Sequence, residues 1–162
     1  MTIQRFETGP RMSQVVVHGN TVYLAGVVAG KAAGKSVTEQ TQDILAIIDG
    51  HLAKAGTDKS KLLSATIYIT DMKTFPEMNA AWDGWVSAGN TPARATVEAK
   101  LAAPQYNVEI MVVAAKYDHQ PQSVSPRIAR AVRGNFICIS RAEPGAGGIA
   151  DVGLQPPRDP AP

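Results

Sequence analysis

The sequence has one cysteine, no long apolar run and little net charge, and each shortage excludes a class of protein. Cys138 alone cannot form an internal disulfide, which is typical of a reducing compartment. No apolar run approaches the ~20 residues that a membrane-spanning helix needs, and the N-terminus lacks the apolar segment of a signal peptide. The formal net charge of +2 is too small to indicate a nucleic-acid partner. We therefore expect a cytoplasmic protein that binds neither membrane nor nucleic acid.

The histidines also exclude two kinds of site. His18, His51 and His119 lie far apart in the chain and lack the spacing of zinc ligands. They form no recognisable arrangement with a serine or cysteine nucleophile. The sequence therefore predicts no metal site and no nucleophilic triad.

The composition changes near residue 117 of the 162. Residues 1–117 show the apolar periodicity of a folded domain, which is an ordinary length for one. Residues 118–162 contain most of the prolines and little periodicity. They predict a Pro/Gly-rich C-terminal tail that is disordered or loosely attached.

Within the domain, the periodicity predicts strands and helices in the order ββαβαββ. Ser36 and Glu39 form a capping box that begins the first helix, which ends at Gly56. Thr74 and Glu77 form a second capping box at the start of the other helix. The predicted strands are residues 13–18, 21–28, 62–70, a run from 92 and a run from 108, after an extended lead-in over residues 1–13. This order predicts an α+β fold with one mixed sheet and both helices on one face of it. The other face of the sheet needs cover, which an oligomer would supply.

The run 92–100 alternates as a half-buried strand does. Arg94, Thr96, Glu98 and Lys100 are predicted to point to one side, and the alanines and Val97 to the other. The run 108–115 is apolar on both sides except at Glu109, which predicts an inner strand. A hairpin turning near Pro104 would leave Arg94 and Glu109 about 13 Å apart along the ladder.

An arginine that begins one strand and a lone glutamate within the next have two interpretations. They could form a buried ion pair that only supports the fold. They could also form a small-molecule site, since a guanidinium binds a carboxylate with two parallel hydrogen bonds and a carboxylate can orient a water. Their separation favours a site that includes a second subunit or a ligand between them.

The sequence P-A-R-A-T-V-E-A-K-L, followed by V-E-I at residues 108–110, resembles the signature of the RidA (YjgF, L-PSP) family, and the resemblance extends over residues 9–116. The resemblance implies a chorismate-mutase-like fold and a homotrimer with sites between subunits. It also implies an enzyme like 2-iminobutanoate/2-iminopropanoate deaminase. Such an enzyme hydrolyses reactive enamines and imines, for example 2-aminoacrylate and 2-imino acids, to keto acids and ammonia without a cofactor.

The resemblance also assigns roles to individual residues. Arg94 matches the arginine that binds the substrate carboxylate, and Glu109 matches the glutamate that positions the hydrolytic water. Thr96 occupies a position that lines the substrate site, and Asn79 matches a helix asparagine near it. These four residues are the predicted centre of the site.

Three further positions depart from or complete this pattern. Ala25 and Gly26 lie where the family commonly has Ser-Gly, so a hydroxyl contact is absent. Arg11 replaces a tyrosine that covers the substrate in many members. A cation at that position should favour imines with polar or acidic side chains over aromatic ones.

Three alternatives stand beside the deaminase hypothesis. The first is a non-catalytic trimeric module that binds a small carboxylate. The second, RNA cleavage, lacks a basic stripe and a catalytic histidine pair. The third comes from residues 29–36, which resemble a relaxed Walker A loop, but the first glycine is Ala29 and a doubly wound sheet is not predicted.

Overall fold

The computed structural model describes residues 2–116, which form a seven-stranded sheet with two helices packed on one face. The predicted tail, residues 118–162, lies outside these described residues. The helices are α1 (Val37–Ala55) and α2 (Phe75–Trp85). The strands are β1 (Ile3–Thr8), β2 (Ser13–His18), β3 (Thr21–Leu24), β4 (Val27–Val28), β5 (Leu62–Ile69), β6 (Ala93–Glu98) and β7 (Val108–Ala115).

The sheet is mixed, as predicted. Its strands run in the order β1-β2-β3-β7-β5-β6, and β4 pairs with β7 beside the end of β3. Only the pairing of β5 with β6 is parallel among these strands. The strands β5 and β6 are joined through α2, so the three elements form the strand–helix–strand crossover that parallel pairing requires. The predicted α+β class, with two helices on one face, is confirmed.

The alternation of β7 explains its central position. Val108, Ile110, Val112 and Ala114 are buried and face the helices, where they join the main core. The residues between them point to the other face of the sheet. Since β7 is apolar on both sides apart from Glu109, it is suited to the inner position that the sequence predicts.

The ends of α1 form as the sequence predicts. Ser36 is the N-cap and makes a reciprocal capping box with Glu39. Gly56 is the C-cap, with a left-handed backbone at φ 79°, a conformation that glycine adopts without strain. The second predicted capping box is wrong, because the Thr74 hydroxyl donates to the carbonyl of Asp71 and does not cap α2.

Two strand predictions need correction near the N-terminus. The lead-in contains β1, which pairs with β2 although only Phe6 among its residues is half-buried. An edge strand with so little buried surface gives almost no periodic signal. The predicted strand 21–28 is interrupted at Ala25 and Gly26, so β3 and β4 are separate strands.

The predicted hairpin of β6 and β7 is also wrong. β5 lies between the two strands and pairs with both. The segment between them crosses over the end of β5 and is fixed by Gln40 of α1. The Gln40 amide donates to the carbonyl of Gln105, and its oxygen accepts from the backbone N–H of Asn107.

Candidate functional site

Glu109 lies on the face of the sheet opposite the helices. Its neighbours along β7, Val108 and Ile110, are buried against the helices, so the alternation of the strand turns Glu109 the other way. Glu109 pairs with Val28 on one side and with Tyr68 on the other. Its side chain is half-buried and has no hydrogen-bond or ion-pair partner among residues 2–116. The carboxylate is therefore available to a water or a ligand.

The interruption between β3 and β4 makes room for this carboxylate. A Cβ atom on Gly26 would lie 1.9 Å from Oε1 of Glu109 and 2.9 Å from its carboxyl carbon. Any side chain at residue 26 would displace the glutamate. Gly26 and Glu109 line one cavity of about 300 Å³, and Ala25 directly precedes Gly26 in the chain. Ala25, Gly26 and Glu109 are called the glutamate half below.

Arg94 lies on the other side of the sheet. It pairs with the buried Ala65 in β5, whose side chain faces the helices. Its guanidinium carbon is 5.4 Å from the ring centroid of Trp82 in α2, a distance suited to a cation–π contact. The Arg94 side chain is exposed and has no carboxylate partner among residues 2–116. It is held in place by an aromatic ring while its hydrogen-bond donors remain free.

Thr96 and Asn79 lie on the same side as Arg94. Thr96 pairs with the buried Ile67, and Asn79 is on α2 one turn before Trp82. Thr96 Oγ1 and Asn79 Oδ1 are buried, and neither has a hydrogen-bond partner among the described residues. Because buried polar atoms are rarely left unpaired, these two atoms indicate a missing partner. Asn79, Arg94 and Thr96 are called the arginine half below.

The two halves cannot meet within one chain. In β5, Ala65 pairs with Arg94, and Tyr68, three residues later, pairs with Glu109. The strand β5 therefore lies between the strands that carry Arg94 and Glu109. From the usual strand spacing and rise, their Cα atoms are about 14 Å apart, and their side chains point to opposite faces. Within one chain, Arg94 and Glu109 therefore form no ion pair. The two residues are far apart, as predicted, but the predicted offset of four residues along a hairpin is wrong, because three residues along the strands and the intervening β5 separate them.

Arg11 joins neither half within one chain. It lies in the turn between β1 and β2, which is closed by a bond of 2.8 Å from the N–H of Gly9 to the carbonyl of Met12. Its side chain is exposed, and it does not line the cavity of Glu109. The histidines of the described region are also apart. His18 is exposed at the end of β2, on the open face, whereas His51 is buried in α1.

Five residues of the Glu109 cavity were not predicted from the sequence. Tyr68, Ala99, Leu101 and Met111 supply largely apolar walls, and Lys100 carries a positive charge. Lys100 was predicted to lie on the side of Arg94 by alternation. This alternation does not extend to Lys100, because β6 ends at Glu98 and Lys100 lines the cavity of Glu109. No sequence signal marks the end of this strand.

The loop that resembles Walker A binds its own chain and not a phosphate. The backbone N–H of Ala32 donates to Asp43, and that of Gly34 donates to the carbonyl of Gln105. The Ser36 hydroxyl and N–H both donate to Glu39. A phosphate-binding loop needs these donors free. The nucleotide-binding alternative is therefore not supported by the described loop.

Residues 2–116 contain no group of three histidine, cysteine, aspartate or glutamate side chains placed to hold a metal ion. Neither helix in the described region has the length and apolar character to span a membrane.

Comparison with known proteins places the chain among similar sequences and structures. A family model described as endoribonuclease L-PSP matches residues 2–116. The RutC family protein YoaB of Escherichia coli is 49% identical over 115 residues, which cover 71% of this chain and 99% of the relative. A crystal structure of a YjgF-family protein from Neisseria meningitidis has a TM-score of 0.70 and 47% identity, covering 73% of this chain and 98% of the other. The chloroplastic Reactive Intermediate Deaminase A of Arabidopsis thaliana is 29% identical over 107 residues, which cover 63% of this chain and 57% of the relative.

Proposed function

The chain belongs to the L-PSP family, also called the YjgF or RidA family, and we propose that it hydrolyses reactive enamines and 2-imino acids to keto acids and ammonia. The observation that carries this proposal is the free carboxylate of Glu109 in its cavity beside Gly26. A more distant relative named a reactive intermediate deaminase supports the same class of reaction.

The proposed site is shared between two copies of the chain in a homotrimer. The arginine half supplies a guanidinium and the glutamate half supplies a carboxylate, and the sheet separates the two halves within one chain. The open face of the sheet also carries apolar side chains that need cover: Tyr23, Val97 and Met111 are 46%, 42% and 37% exposed. If a neighbouring copy covers this face, the arginine half of one subunit can approach the glutamate half of the next.

Arg94 binds the substrate carboxylate in the proposed mechanism. Its guanidinium offers parallel donors that match the two carboxylate oxygens. The contact with Trp82 limits the freedom of the side chain before the substrate arrives. Thr96 and Asn79, with their unpaired buried oxygens, provide further polar contacts nearby.

Glu109 acts as the general base. It orients a water molecule and accepts a proton from it as the water oxygen bonds to the imine carbon. Glu109 then returns this proton to the carbinolamine nitrogen, and the C–N bond breaks with release of ammonia. The hydroxyl oxygen forms the carbonyl of the keto acid as its proton leaves to solvent. The overall reaction consumes one water and releases one ammonia. Because a protonated imine is already electrophilic, positioning of the water supplies much of the rate.

The direct test is ammonia release from imines that an amino-acid oxidase generates in the assay. We expect the protein to raise the rate above spontaneous hydrolysis, and Glu109→Gln to remove that increase while keto-acid binding remains. Ammonia release no faster than spontaneous hydrolysis, together with tight keto-acid binding, would favour the carboxylate-binding module over the deaminase.

The oligomer is tested separately by light scattering. At low micromolar concentration the protein should have about three chain masses. A stable monomer would contradict the shared site, since one chain keeps Arg94 and Glu109 on opposite faces.

A further inference from the structure

Lys100 brings a positive charge into the cavity of Glu109. The strand β6 ends at Glu98, and the N–H of Ala99 still donates to the carbonyl of Ile69 at 2.9 Å. The chain then leaves the strand, and Lys100 lines the same cavity of about 300 Å³ as Gly26 and Glu109. Arg94, by contrast, lies across the sheet. Lys100 is thus the cation in the lining of the cavity that contains Glu109.

The two opposite charges share the cavity without pairing. The salt bridges of residues 2–116 include neither Lys100 nor Glu109. Tyr68, Leu101 and Met111 line the space around them. The Lys100 ammonium is therefore available to an anionic group of a ligand, and the Glu109 carboxylate remains available to water.

We propose that Lys100 determines substrate specificity by binding a side-chain carboxylate, so that the preferred imines derive from acidic amino acids such as glutamate. This inference rests on the proposed deaminase function. Arg94 of a neighbouring copy holds the carboxylate next to the imine carbon, and Glu109 orients the water at that carbon. Lys100 holds the second carboxylate. Without this cation, the charge of Glu109 would repel an acidic side chain.

The experiment compares imines of glutamate and of 2-aminobutanoate, which differ by the side-chain carboxylate. Ammonia release gives kcat/KM for each imine, and the measured quantity is the ratio of the two values. Lys100→Gln should lower the ratio of glutamate imine to 2-aminobutanoate imine by about 10-fold or more, the order of a hydrogen bond to a charged group. Lys100→Glu should lower it further and favour the imine of arginine. Lys31→Gln, which removes an exposed lysine in the 29–36 loop, should keep the wild-type ratio.

An equal fall for both imines in Lys100→Gln would overturn the proposal, because Lys100 would then hold the group that they share. An unchanged ratio would overturn it as well. Raising the ionic strength should lower the wild-type ratio and leave that of Lys100→Gln nearly constant.

Binding of the keto acids separates a failure of this inference from a failure of the deaminase function. Calorimetry with 2-oxoglutarate and 2-oxobutanoate needs no turnover. If the wild type releases no ammonia, the deaminase function fails, but a selective loss of 2-oxoglutarate affinity in Lys100→Gln still supports the role of Lys100. An equal loss of affinity for both keto acids in Lys100→Gln, or no loss for either, would overturn the role of Lys100.

Discussion

Gly26 and Glu109 lie so close that a methyl group does not fit between them. A Cβ atom on Gly26 would be 1.9 Å from Oε1 of Glu109, although the two residues are 83 positions apart in the chain. The Glu109 carboxylate can therefore lie where it does because Gly26 has no side chain. This relationship makes Gly26 a positioning residue for the proposed base.

Gly26→Ala should reduce turnover while the protein remains folded. The new methyl group must displace the Glu109 carboxylate, so kcat should fall towards the ~10²–10⁴-fold loss expected when a general base is removed. Keto-acid affinity should change much less, since Arg94 is not affected. Gly50→Ala is the matched control, because a Cβ there meets nothing within 4 Å. Equal kcat values for the two variants would contradict the positioning role.

Arg94→Lys and Arg94→Ala should weaken binding of the substrate carboxylate. Lysine offers a point charge without the planar fork of donors, so it should not replace arginine. Arg94→Ala should cost about 2–5 kcal/mol of binding free energy, the value for truncating one side of a buried charge pair. Calorimetry with a keto acid measures this loss. Melting temperatures close to wild type are expected, since Arg94 has no carboxylate partner in the described chain.

Mixing two inactive variants tests whether the site is shared. Arg94→Ala and Glu109→Gln each lack one half, but a mixed trimer can join an intact arginine half to an intact glutamate half. After subunit exchange at equal concentrations, about a quarter of the sites should be complete if each site takes one half from each of two neighbours. Ammonia release should recover in that proportion. No recovery in trimers shown to be mixed would mean that both halves come from one chain.

Gln40, in the first turn of α1, should contribute to stability. It is fully buried, and its amide donates to the carbonyls of Lys35 and Gln105 at 2.9 and 3.1 Å. Its oxygen accepts from the N–H of Asn107 at 2.9 Å. Gln40→Leu would leave these groups without partners, at about 1–3 kcal/mol each.

Urea unfolding would measure this change in the free energy of unfolding. The exposed Gln42 provides the control, and Gln42→Leu should change stability by no more than about 0.5 kcal/mol. Similar stabilities of the two variants would show that the segment between β6 and β7 is held by other contacts.

Because of Glu7, the stability of the folded protein should depend on pH in the acid range. The hydrogen bond from Lys54 holds the pKa of Glu7 below its usual value of 4.5, and His51 adds to this effect. The pKa of Glu7 is lower in the folded state than in the unfolded state. The stabilisation is therefore fully present at a pH above the unfolded-state pKa, and it is lost as pH falls through the folded-state pKa. Glu7→Gln should therefore melt lower than wild type near neutral pH and converge with it below pH 4.5. Asp83→Asn, an exposed change on α2, is the control, and a pH-independent gap for Glu7→Gln would contradict the argument.

A chain that ends at Asp118 should fold and assemble as the full chain does. Residues 2–116 contain the whole family match, and 115 aligned residues cover 99% of YoaB. Circular dichroism and light scattering would compare the truncated and full chains. A truncated chain that melts much lower, or that loses the trimer, would show that the later residues support the domain.

The sequence by itself determined both helices, the inner strands and the family, but not β1 or the break between β3 and β4. Local signals fixed α1, because the capping box at Ser36 and the glycine at residue 56 act within a few residues of the chain. The alternation of β7 identified an inner strand with one carboxylate, and the motif that contains Arg94 and Glu109 identified the residues of the proposed site.

Only the tertiary structure decided which strands are neighbours and which face each side chain takes. The sequence suggested a hairpin of β6 and β7, but the crossover through α2 places β5 between them. This arrangement sends Arg94 to the helix side and Glu109 to the open side, and it places Lys100 in the lining of the Glu109 cavity. Strand pairing depends on contacts between distant residues, so periodicity within a strand cannot predict it.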